Sequence, residues 1–476
     1  MPEAKNRIIK QLEEVLGEEK VCVTKEVLRT KATDTWPLRL IQGKLGKEFE
    51  LPLCVVTPTS TKDVEQLMEF LYESDIPSVP YAGGSGVTGG AEPTAESVVI
   101  DLSKMNKVIS IDEENLMVTI QPGVGLRALE NGLNTLGYTT GHYPQSIELA
   151  QIGGLVATRS SGQFSTKYGN IEDLVVGMEV VLPTGELIHI NNVPRRSTGP
   201  DLRQIFVGSE GILGVMTEVT LKIFPEAPER WKGAYAIQEM REGLKMIREI
   251  VQTGWKPAVI RLHDALEASM SYQEFVEEGE AILLILCEGP EGLAQLEGKA
   301  IDTIVRKRGG RPLGEAPIEK WLEKRNEVSE LDDYTSQGVI VDTIEVAANW
   351  TDIANIYEQV TSRLKEAVPE LLVIGGHSSH SYEQGTNLYF ILGAYPEQTP
   401  EAAEEVYWRI WSTVMEITLA HNGTICHHHG IGKLRARWMP DDLGSAYNLL
   451  EKLKEKLDPK GLLNEGTLLS KDVNAN

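Results

Sequence analysis

The sequence predicts an α+β fold in two parts. Between residues 51 and 227, short apolar runs alternate with turns, and many of these turns are rich in glycine. From residue 228 the pattern changes to single apolar runs separated by longer amphipathic stretches with the apolar spacing of helices. Helices packed on one face of an antiparallel sheet fit this second pattern. At 476 residues the chain is too long for one ordinary hydrophobic core, which supports a division into domains.

These changes of pattern give the predicted domain boundaries. Residues 1–50 begin with MPEAKNRIIKQLEEVLGEEK, whose apolar side chains recur at helical spacing, so we predict a helical segment there. Residues 51–227 are predicted to form one glycine-rich unit, and residues 228–430 a second unit. Residues 431–476 form a C-terminal, mostly helical segment that we expect to return to the first unit.

The composition excludes several classes of partner. A net charge of −24 disfavours nucleic acids and anionic membrane surfaces, although a small anionic substrate responds to the local field instead. No apolar run approaches the ~18 residues of a membrane-spanning helix, and AILLILC at 281–287 suits a buried strand. The charged N-terminus lacks the apolar core of a secretion signal. Four scattered cysteines without a CxxC motif favour a reduced, cytoplasmic setting.

Three glycine-rich segments indicate a cofactor site. The first, YAGGSGVTGGAEP at 81–93, contains GxGxxG, but the strand-like SVVIDL follows it where a Rossmann fold would begin a helix. Its glycines allow positive φ and expose consecutive backbone N–H groups, which can cradle an anion. A glycine-rich hairpin without a ligand is the alternative for this segment alone. With IGGLVATRSSG at 152–162 and GSEGILG at 208–214, the set favours a long diphosphate cofactor.

Six motifs follow one another in the order PYAGGSGVTGG, YPQS, IGGLVATRSSG, KYGNIEDLV, STGPDL and GSEGILGVMTEVTLKI. Together they resemble the FAD-binding domain of the vanillyl-alcohol oxidase / p-cresol methylhydroxylase superfamily. The resemblance covers roughly residues 50–225 and returns at the C-terminal segment. It implies a two-lobed FAD-binding domain of the p-cresol methylhydroxylase type over 51–227. An antiparallel-sheet substrate cap domain with helices on one face would follow over 228–430.

The resemblance implies that FAD lies extended across these segments, with its diphosphate on the first of them. That segment contains no histidine and no cysteine stands near the motifs, so we expect non-covalent FAD. The predicted contacts are Pro80, Ala82, Gly83, Gly84, Ser85, Gly86, Val87, Thr88, Gly89, Gln145 and Ser146 at the diphosphate; Gly153, Gly154, Ser161 and Gly162 at the flavin and ribityl chain; and Glu210, Gly211, Gly214 and Val215 on the adenine side.

The segment CHHHGIGK places three of the nine histidines side by side, which indicates either metal binding or proton transfer. In a 2-hydroxy-acid dehydrogenase branch, similar to glycolate oxidase and D-lactate dehydrogenase, two strand histidines and a glutamate before His-Gly-Ile-Gly bind a metal. Here Tyr382, Tyr389 and His428 stand at those positions. A phenol is a poor ligand at neutral pH, so we expect no metal site of this kind. A replacement site that uses His377 or His380 stays open, although three adjacent residues cannot all face one ion.

A second branch shares more motifs with the chain. HHHG followed by KLR, and the segments SHSY, TGHYPQS, KYGNIEDLV, RRSTGPD and PAVIRLHD, resemble the alkylglycerone-phosphate synthases, also called alkyldihydroxyacetone-phosphate synthases. The resemblance implies FAD without net redox, where a fatty alcohol replaces a fatty acid on a substrate held at flavin N5. Imidazole can take and return a proton near neutral pH, and a phenol can stabilise a developing oxyanion. The catalytic residues implied by the resemblance are His427, His428, His429, Tyr382 and Arg261.

The anionic part of the substrate needs cationic groups. Arg325 in WLEKR resembles the arginine of a Trp-x-x-x-Arg pattern of the hydroxy-acid dehydrogenases. With Tyr389 and His380, it is a predicted substrate-binding residue. The synthases carry another arginine before the strand that here reads GVIVDTIEV, where this chain has Leu331 or Asp332. Because an aspartate repels a phosphate, either Arg325 substitutes for that arginine or the substrate is a different anion.

The leading prediction is therefore an alkylglycerone-phosphate-synthase-like enzyme that acts on a small or acylated anionic substrate. The alternative is an FAD-dependent D-2-hydroxy-acid dehydrogenase of the D-lactate or glycolate type, which passes electrons to a protein or quinone. A flavoprotein subunit that only relays electrons would not need the histidine, tyrosine and arginine side chains. A homodimer is left open, and so is an electron-acceptor protein if the chain is a dehydrogenase.

The attachment of the flavin can be tested by acid precipitation. Since the glycine-rich segments carry no attachment residue, we expect the purified yellow protein to release its flavin when it is precipitated. The absorbance of the supernatant and of the redissolved pellet measures the two fractions. Yellow colour that stays in the pellet would mean that the flavin is covalently bound.

The metal requirement is a second test. Because tyrosines replace the two strand histidines, we expect dialysis against a chelator to leave the turnover rate unchanged. The metal content of the dialysed protein is measured alongside to establish that removal was complete. A turnover rate that disappears and returns with zinc or manganese would identify the histidine run as a metal site.

Overall fold

The computed structural model describes residues 2–327 and 334–470 and contains four sheets within them. The strands are β1 (Val21–Cys22), β2 (Cys54–Val56), β3 (Ser78–Tyr81), β4 (Val98–Asp101), β5 (Val108–Asp112), β6 (Met117–Ile120), β7 (Tyr138–Thr139), β8 (Val175–Val181), β9 (Leu187–Ile190), β10 (Val215–Lys222), β11 (Phe224–Pro225), β12 (Glu229–Ile237), β13 (Val259–His263), β14 (Ala281–Gly289), β15 (Arg311–Gly314), β16 (Ile340–Asn349), β17 (Leu371–Ser378) and β18 (Gly385–Ala394).

The α-helices alternate with these strands. They are α1 (Pro2–Leu16), α2 (Lys25–Thr30), α3 (Pro37–Lys44), α4 (Thr61–Glu73), α5 (Leu126–Asn134), α6 (Ile152–Ala157), α7 (Ser165–Tyr168), α8 (Ile171–Leu174), α9 (Arg203–Phe206), α10 (Met240–Gln252), α11 (Ala265–Ser271), α12 (Leu293–Lys307), α13 (Ala316–Lys324), α14 (Ile353–Ala367), α15 (Pro400–Ala420), α16 (Met439–Leu443) and α17 (Tyr447–Leu457).

The first unit contains two main sheets, which form two lobes. In the smaller sheet, of order β1-β2-β4-β3, three strands run parallel and β1 is antiparallel. Helix α4 connects β2 to β3, and the Ser60 side chain caps it by accepting from the N–H of Asp63. The predicted N-terminal helix is α1, which buries Leu12 and Leu16 against α4. The second lobe is the antiparallel sheet β5-β6-β10-β8-β9.

The second unit is an antiparallel sheet of seven strands in the order β15-β12-β14-β13-β17-β18-β16. The long helices α10, α12, α14 and α15 pack on one face of this sheet. The opposite face carries the short helices α11 and α13 and meets α7 of the first unit. The predicted buried strand is β14, which is buried along its whole length because both faces of the sheet are covered.

Strand register places four polar side chains of this sheet in one row. His263 in β13 pairs with His377 in β17, and His377 pairs with Tyr389 in β18. Tyr389 pairs in turn with Glu345 in β16. Directly paired residues of antiparallel strands point to the same face, and Val259 of β13 identifies it as the face that meets the first unit.

Two further results concern the sequence-based predictions. None of the helices within the described ranges is both long and apolar enough to cross a membrane. Leu331 and Asp332, where the synthases carry an additional arginine, lie outside the described residues.

Candidate functional site

One buried carboxylate holds the histidine run in place. Glu345 accepts hydrogen bonds from the backbone N–H groups of His427, His428 and His429. Nη1 of Arg435 lies 2.6 Å from Glu345 Oε1, and both side chains are completely buried. Burial alone would raise the pKa of the Glu345 carboxyl, but the charge of Arg435 keeps that pKa well below its usual range. The backbone of the run is therefore fixed to strand β16 by a charged group.

Two side chains of the run, those of His427 and His428, approach each other and Tyr382. His427 Nε2 lies 2.7 Å from the Tyr382 hydroxyl, and His427 Nδ1 lies 2.9 Å from His428 Nδ1. Asn170 Nδ2 donates to the same hydroxyl at 3.1 Å. If Tyr382 donates to His427 Nε2, then His427 Nδ1–H donates to His428; the opposite tautomers reverse both bonds. The hydrogen-bonded side chains of Tyr382, His427 and His428 can therefore pass a proton from one to the next, and we call them the proton-transfer chain.

His380 connects the proton-transfer chain to the first unit. Its Nδ1 lies 2.7 Å from Ser165 Oγ and 3.0 Å from Ser161 Oγ, and its ring stacks on His427 with centroids 5.0 Å apart. The backbone of His380 is held by the Asn387 side chain, which accepts from its N–H at 2.9 Å. His380 thus lies between the predicted flavin-binding segment and the histidine run.

Burial keeps the imidazoles of this cluster uncharged. It lowers the pKa of His427 and His428 to about 3 and that of His429 to about 4, and positive charge on neighbouring groups lowers these pKa values further. Burial raises the pKa of Tyr382 to about 12. At neutral pH the site therefore offers unprotonated imidazoles beside a protonated phenol, which are proton acceptors and a hydrogen-bond donor.

Arg261 lies at the other end of the row of polar side chains. Its Nε donates to His263 Nε2 at 3.0 Å, and its Nη2 lies 2.7 Å from His377 Nε2. His377 stacks on Tyr389 with centroids 4.6 Å apart, and Tyr389 lies parallel to His428 at 6.0 Å. Arg261 and the histidine run are thus joined by continuous ring contacts.

Two groups of side chains each bring three metal-ligand atoms within 4.8 Å of one another. Imidazoles that are clustered for proton transfer have the same spacing as imidazoles that bind a metal ion. The spacing therefore does not decide between the two roles, and a metal-independent site stays a prediction. The groups are His380, His427 and His428, and His263, Glu267 and His377.

A cavity of about 660 Å³ borders Tyr382 and His427, and its lining combines aliphatic side chains with the charged residues Arg159, Glu172, Glu210 and Asp442. Its walls come mainly from the loop after α9 and from the C-terminal helices, so the C-terminal segment contacts the site directly. The aliphatic lining residues are Ile205, Val207, Leu213, Ile431, Met439, Leu443, Leu450, Leu453 and Leu468.

A second, smaller cavity of about 180 Å³ is cationic. Arg261, Lys320, Lys324 and Arg325 line it, and its described lining contains no carboxylate. Arg325 donates to the Gln163 side chain at 2.8 Å, and burial lowers the pKa of Arg325 to about 10, so it stays charged at neutral pH. The cavity brings Arg261 and Arg325 together, and their binding of an anion stays a prediction.

The first glycine-rich segment fits a bound diphosphate. In the described part of the chain, the backbone N–H groups of residues 83–88 donate to no protein acceptor. Gly84 and Gly89 have positive φ, which lets this short segment curve. A run of free N–H groups in a curved glycine segment is the donor set that a phosphate requires. The residues present therefore fit the diphosphate of FAD.

The other glycine-rich segments converge on the first one. A Cβ at Gly154 would lie 3.5 Å from the Ala82 side chain, and one at Gly211 would lie 3.1 Å from Pro80. A Cβ at Gly432, which follows the histidine run, would collide with the carbonyl oxygen of Thr88. The three segments and the histidine run thus surround one groove.

Several predicted cofactor residues have structural contacts of their own. The Glu210 carboxylate accepts from the N–H groups of Ile431 at 2.6 Å and Gly432 at 2.8 Å. Gly214 packs against Val180 of β8, where a Cβ would lie 2.6 Å from that side chain. Gln145 lines the cationic cavity.

Sequence reasoning missed the carboxylates that organise the site. Glu345 and Asp342 stand in the otherwise mostly apolar strand IVDTIEVAA, and carboxylates in such a strand were the available signal. Glu267 and His263 gave a weaker signal, because RLHDALE reads equally well as a strand that leads into a helix. Their roles depend on His377, which is distant in sequence, and no local pattern predicts that pairing.

The clamp on the histidine run can be tested by Glu345→Gln. The substitution leaves the buried Arg435 without its counter-charge, so we expect the free energy of unfolding of the FAD-loaded protein to fall by about 3–5 kcal/mol. Urea unfolding measures it. Glu358→Gln is the control, because Glu358 pairs with Arg241 at the surface and should cost ~1 kcal/mol or less. Equal losses for the two variants would contradict the clamp.

Solved structures show the fold. An alkyldihydroxyacetonephosphate synthase superimposes with a TM-score of 0.83 over 96% of this chain and 85% of that chain, at 24% identity. p-Cresol methylhydroxylase with substrate bound superimposes with a TM-score of 0.77 over 98% of both chains, at 16% identity. The predicted fold of the p-cresol methylhydroxylase type, with its antiparallel second sheet, is confirmed.

Sequence comparisons give the family and the cofactor. The family model "FAD binding domain" matches residues 52–191, and "FAD linked oxidases, C-terminal domain" matches residues 233–468. The predicted FAD cofactor is confirmed, while its non-covalent attachment stays a prediction. The glycine-rich groove is formed by residues within the first match and by the 208–214 segment between the two matches, and the histidine run lies within the second match.

Three curated relatives span most of the chain. Alkyldihydroxyacetonephosphate synthase of Dictyostelium discoideum is 28% identical over 90% of this chain and 75% of the relative. Glycolate oxidase subunit GlcD of Bacillus subtilis is 26% identical over 89% and 90%. An uncharacterized FAD-linked oxidoreductase of Escherichia coli (strain K12) is 40% identical over 97% of this chain and 98% of the relative. The chain therefore belongs to the FAD-linked oxidoreductase family and is an FAD-dependent enzyme.

Proposed function

We propose that this enzyme exchanges an acyl chain for an alkyl chain on an anionic substrate, in the manner of the alkylglycerone-phosphate synthases. One observation carries the proposal: Tyr382 and His427, which are hydrogen-bonded to each other, border a cavity with a partly aliphatic wall that is large enough for an aliphatic chain. The cationic cavity at Arg261 lies at the far end of the same polar row and would take the anionic group.

The proposal assigns FAD to the groove formed by the glycine-rich segments of residues 51–227, with residues 228–430 as the substrate cap. FAD supplies its reactive N5 position when it is bound. The exposed N–H groups of residues 83–88 would hold the diphosphate. Ser161, which is hydrogen-bonded to His380, would bring the flavin side of the groove next to the proton-transfer chain.

The protein's own groups provide the proton balance of the exchange. The incoming fatty alcohol loses its hydroxyl proton, and the unprotonated His427–His428 pair is placed to take it. The departing fatty acid leaves as a carboxylate, or as the acid if the pair returns that proton. The Tyr382 hydroxyl donates to oxygen that becomes negative during the exchange. No electron acceptor is needed, because one C–O bond is broken and another is formed.

The alternative, a D-2-hydroxy-acid dehydrogenase, is favoured by one observation. The cationic cavity has a volume of only about 180 Å³ and contains both Arg261 and Arg325 beside Trp321, which suits a small carboxylate. In that reaction the substrate would be oxidised, and its electrons would pass through FAD to a protein or quinone acceptor. A histidine would take the proton of the substrate hydroxyl.

The two reactions differ in whether the flavin changes its redox state. We expect the FAD-loaded enzyme, mixed without oxygen with an acyl-dihydroxyacetone phosphate and a fatty alcohol, to form the ether product and free fatty acid in equal amounts. Mass spectrometry measures both products, and flavin absorbance is recorded in the same experiment. Stoichiometric bleaching by D-lactate, glycolate or D-2-hydroxyglutarate, without any exchange, would establish the dehydrogenase instead.

A matched pair of variants supports this experiment. Tyr382→Phe removes the hydroxyl that ends the proton-transfer chain and should slow the exchange by about 10²–10⁴-fold, the usual effect of a lost acid–base group. Tyr235→Phe removes a hydroxyl that donates to Asp302 elsewhere in the cap and should leave the rate unchanged. Equal rates for the two variants would exclude Tyr382 from the reaction.

A further inference from the structure

Arg261 is held by two histidines that share one edge of its guanidinium group. Its Nε–H donates to His263 Nε2 at 3.0 Å, and its Nη2 lies 2.7 Å from His377 Nε2. Arg261 and His263 are two positions apart in β13, so they point to the same face, and His377 is the cross-strand partner of His263. Strand geometry therefore places both imidazoles next to the arginine.

A third residue fixes the tautomers of these histidines. Asp264 caps helix α11 by accepting from the N–H of Glu267 at 2.9 Å, and this turn brings the Glu267 carboxylate beneath both rings. Nδ1 of His263 lies 2.6 Å from Glu267 Oε2, and Nδ1 of His377 lies 2.9 Å from Glu267 Oε1. A carboxylate only accepts, so both Nδ1 atoms must carry the proton and both Nε2 atoms must be acceptors.

The charges of the four groups agree with this arrangement. Burial lowers the pKa of His377 to about 3 and also lowers the pKa of His263, so both rings are neutral. Burial opposes ionisation of Glu267, but the adjacent imidazoles keep its pKa below the usual range. The network therefore contains one positive and one negative charge, separated by two neutral rings.

The network leaves a defined part of Arg261 free. A guanidinium has five N–H groups, and Nε–H with one Nη2–H form its side edge, which the two histidines occupy. The end edge, formed by Nη1 and the second Nη2–H, remains for a ligand. No residue in the described ranges accepts from Nη1, and Arg261 lines the cationic cavity. Two parallel N–H groups match the two oxygens of a carboxylate or a phosphate.

The same arrangement does not suit a metal ion between His263, Glu267 and His377, although their ligand atoms lie close together. An ion on the Nδ1 atoms would require protons on both Nε2 atoms. Those N–H groups would then face the N–H groups of Arg261, donor against donor. The hydrogen bonds to Arg261 thus favour neutral donors at Nδ1 over metal ligands.

We propose that Glu267, His263 and His377 are positioning residues that fix Arg261 so that its end edge binds two oxygens of a substrate oxyanion. This rests on the proposed function only in assigning the cationic cavity to the anionic group of the substrate, which the dehydrogenase alternative also requires. The specificity it gives is for a terminal phosphate or carboxylate, since a neutral group cannot satisfy both N–H groups.

The experiment measures anion binding to the FAD-loaded enzyme by calorimetry, with inorganic phosphate and oxalate as separate probes. In Glu267→Gln the amide offers one acceptor and one donor, so one histidine must change tautomer and turn an N–H toward Arg261. We expect the dissociation constant for the preferred anion to rise about tenfold or more. Glu358→Gln, which also takes a carboxylate from a cap arginine, is the control and should bind as the unchanged protein does.

A second pair of variants keeps the test decisive if Glu267→Gln does not fold. In His377→Gln the amide oxygen can accept from Arg261 while the amide nitrogen donates to Glu267, so binding should be retained to within about threefold. His377→Leu has neither group and should lose at least tenfold. Nitrogen NMR of the histidine-labelled enzyme should give two rings protonated at Nδ1 only, whose signals are lost in His263→Gln and His377→Gln respectively.

Three other outcomes would overturn the proposal. Unchanged anion affinity in Glu267→Gln or His377→Leu would mean that Arg261 needs no positioning. Stoichiometric zinc or manganese that is lost in both histidine variants would identify a metal site. An unchanged enzyme that binds neither phosphate nor oxalate would remove the anion site itself. Failure of the acyl exchange with intact anion binding would refute the proposed function and leave the positioning role standing.

Discussion

The site depends on a negative charge that has no access to water. Glu345 is completely buried, and an isolated carboxylate in that position would be strongly destabilising. Arg435 and the three backbone N–H groups of the histidine run compensate for the lost hydration. Because the run's backbone satisfies this carboxylate, its side chains remain available for other contacts. His427 reaches Tyr382, and His429 meets the ring of Tyr389 edge-on.

The second constraint is the strand register of the seven-stranded sheet in the second unit. His263, His377, Tyr389 and Glu345 lie in one row because four neighbouring strands pair in a single register. A shift of one residue in any of these strands would move its member of the row to the opposite face, where the long helices pack. At one end of the row, Glu345 forms an ion pair with Arg435. At the other end Arg261 bonds to neutral imidazoles and retains N–H groups toward a cavity. The same sheet therefore binds one arginine, Arg435, in a structural role and carries another, Arg261, that is available to bind a ligand.

This division explains what the sequence could predict. The glycine-rich segments were recognisable because their composition reflects a local backbone requirement, and the buried strand AILLILC because burial on both faces leaves a continuous apolar run. The histidine run and Tyr382 were found through motif resemblance. Lys433, Arg435 and Arg437 all follow closely on the histidine run, yet Arg435 is fully buried and Arg437 is exposed over the Trp408 ring. Only the position of Glu345, 90 residues away from Arg435, distinguishes them, and local patterns contain no information about such a pairing.

The charge of the site also differs from that of the whole chain. A net charge of −24 argues against polyanionic partners, whereas the smaller cavity is lined by Arg261, Lys320, Lys324 and Arg325. Burial lowers the pKa of His380 well below its usual value, and the positive charge of Arg261 lowers it further. An oxyanion bound at Arg261 would offset that group's positive charge, and Coulomb's law then requires the basicity of the nearby imidazoles to increase. Substrate binding and proton acceptance are therefore coupled through the electrostatics of the row. Uncharged imidazoles in the free enzyme are consistent with bases that gain strength when the anion is present.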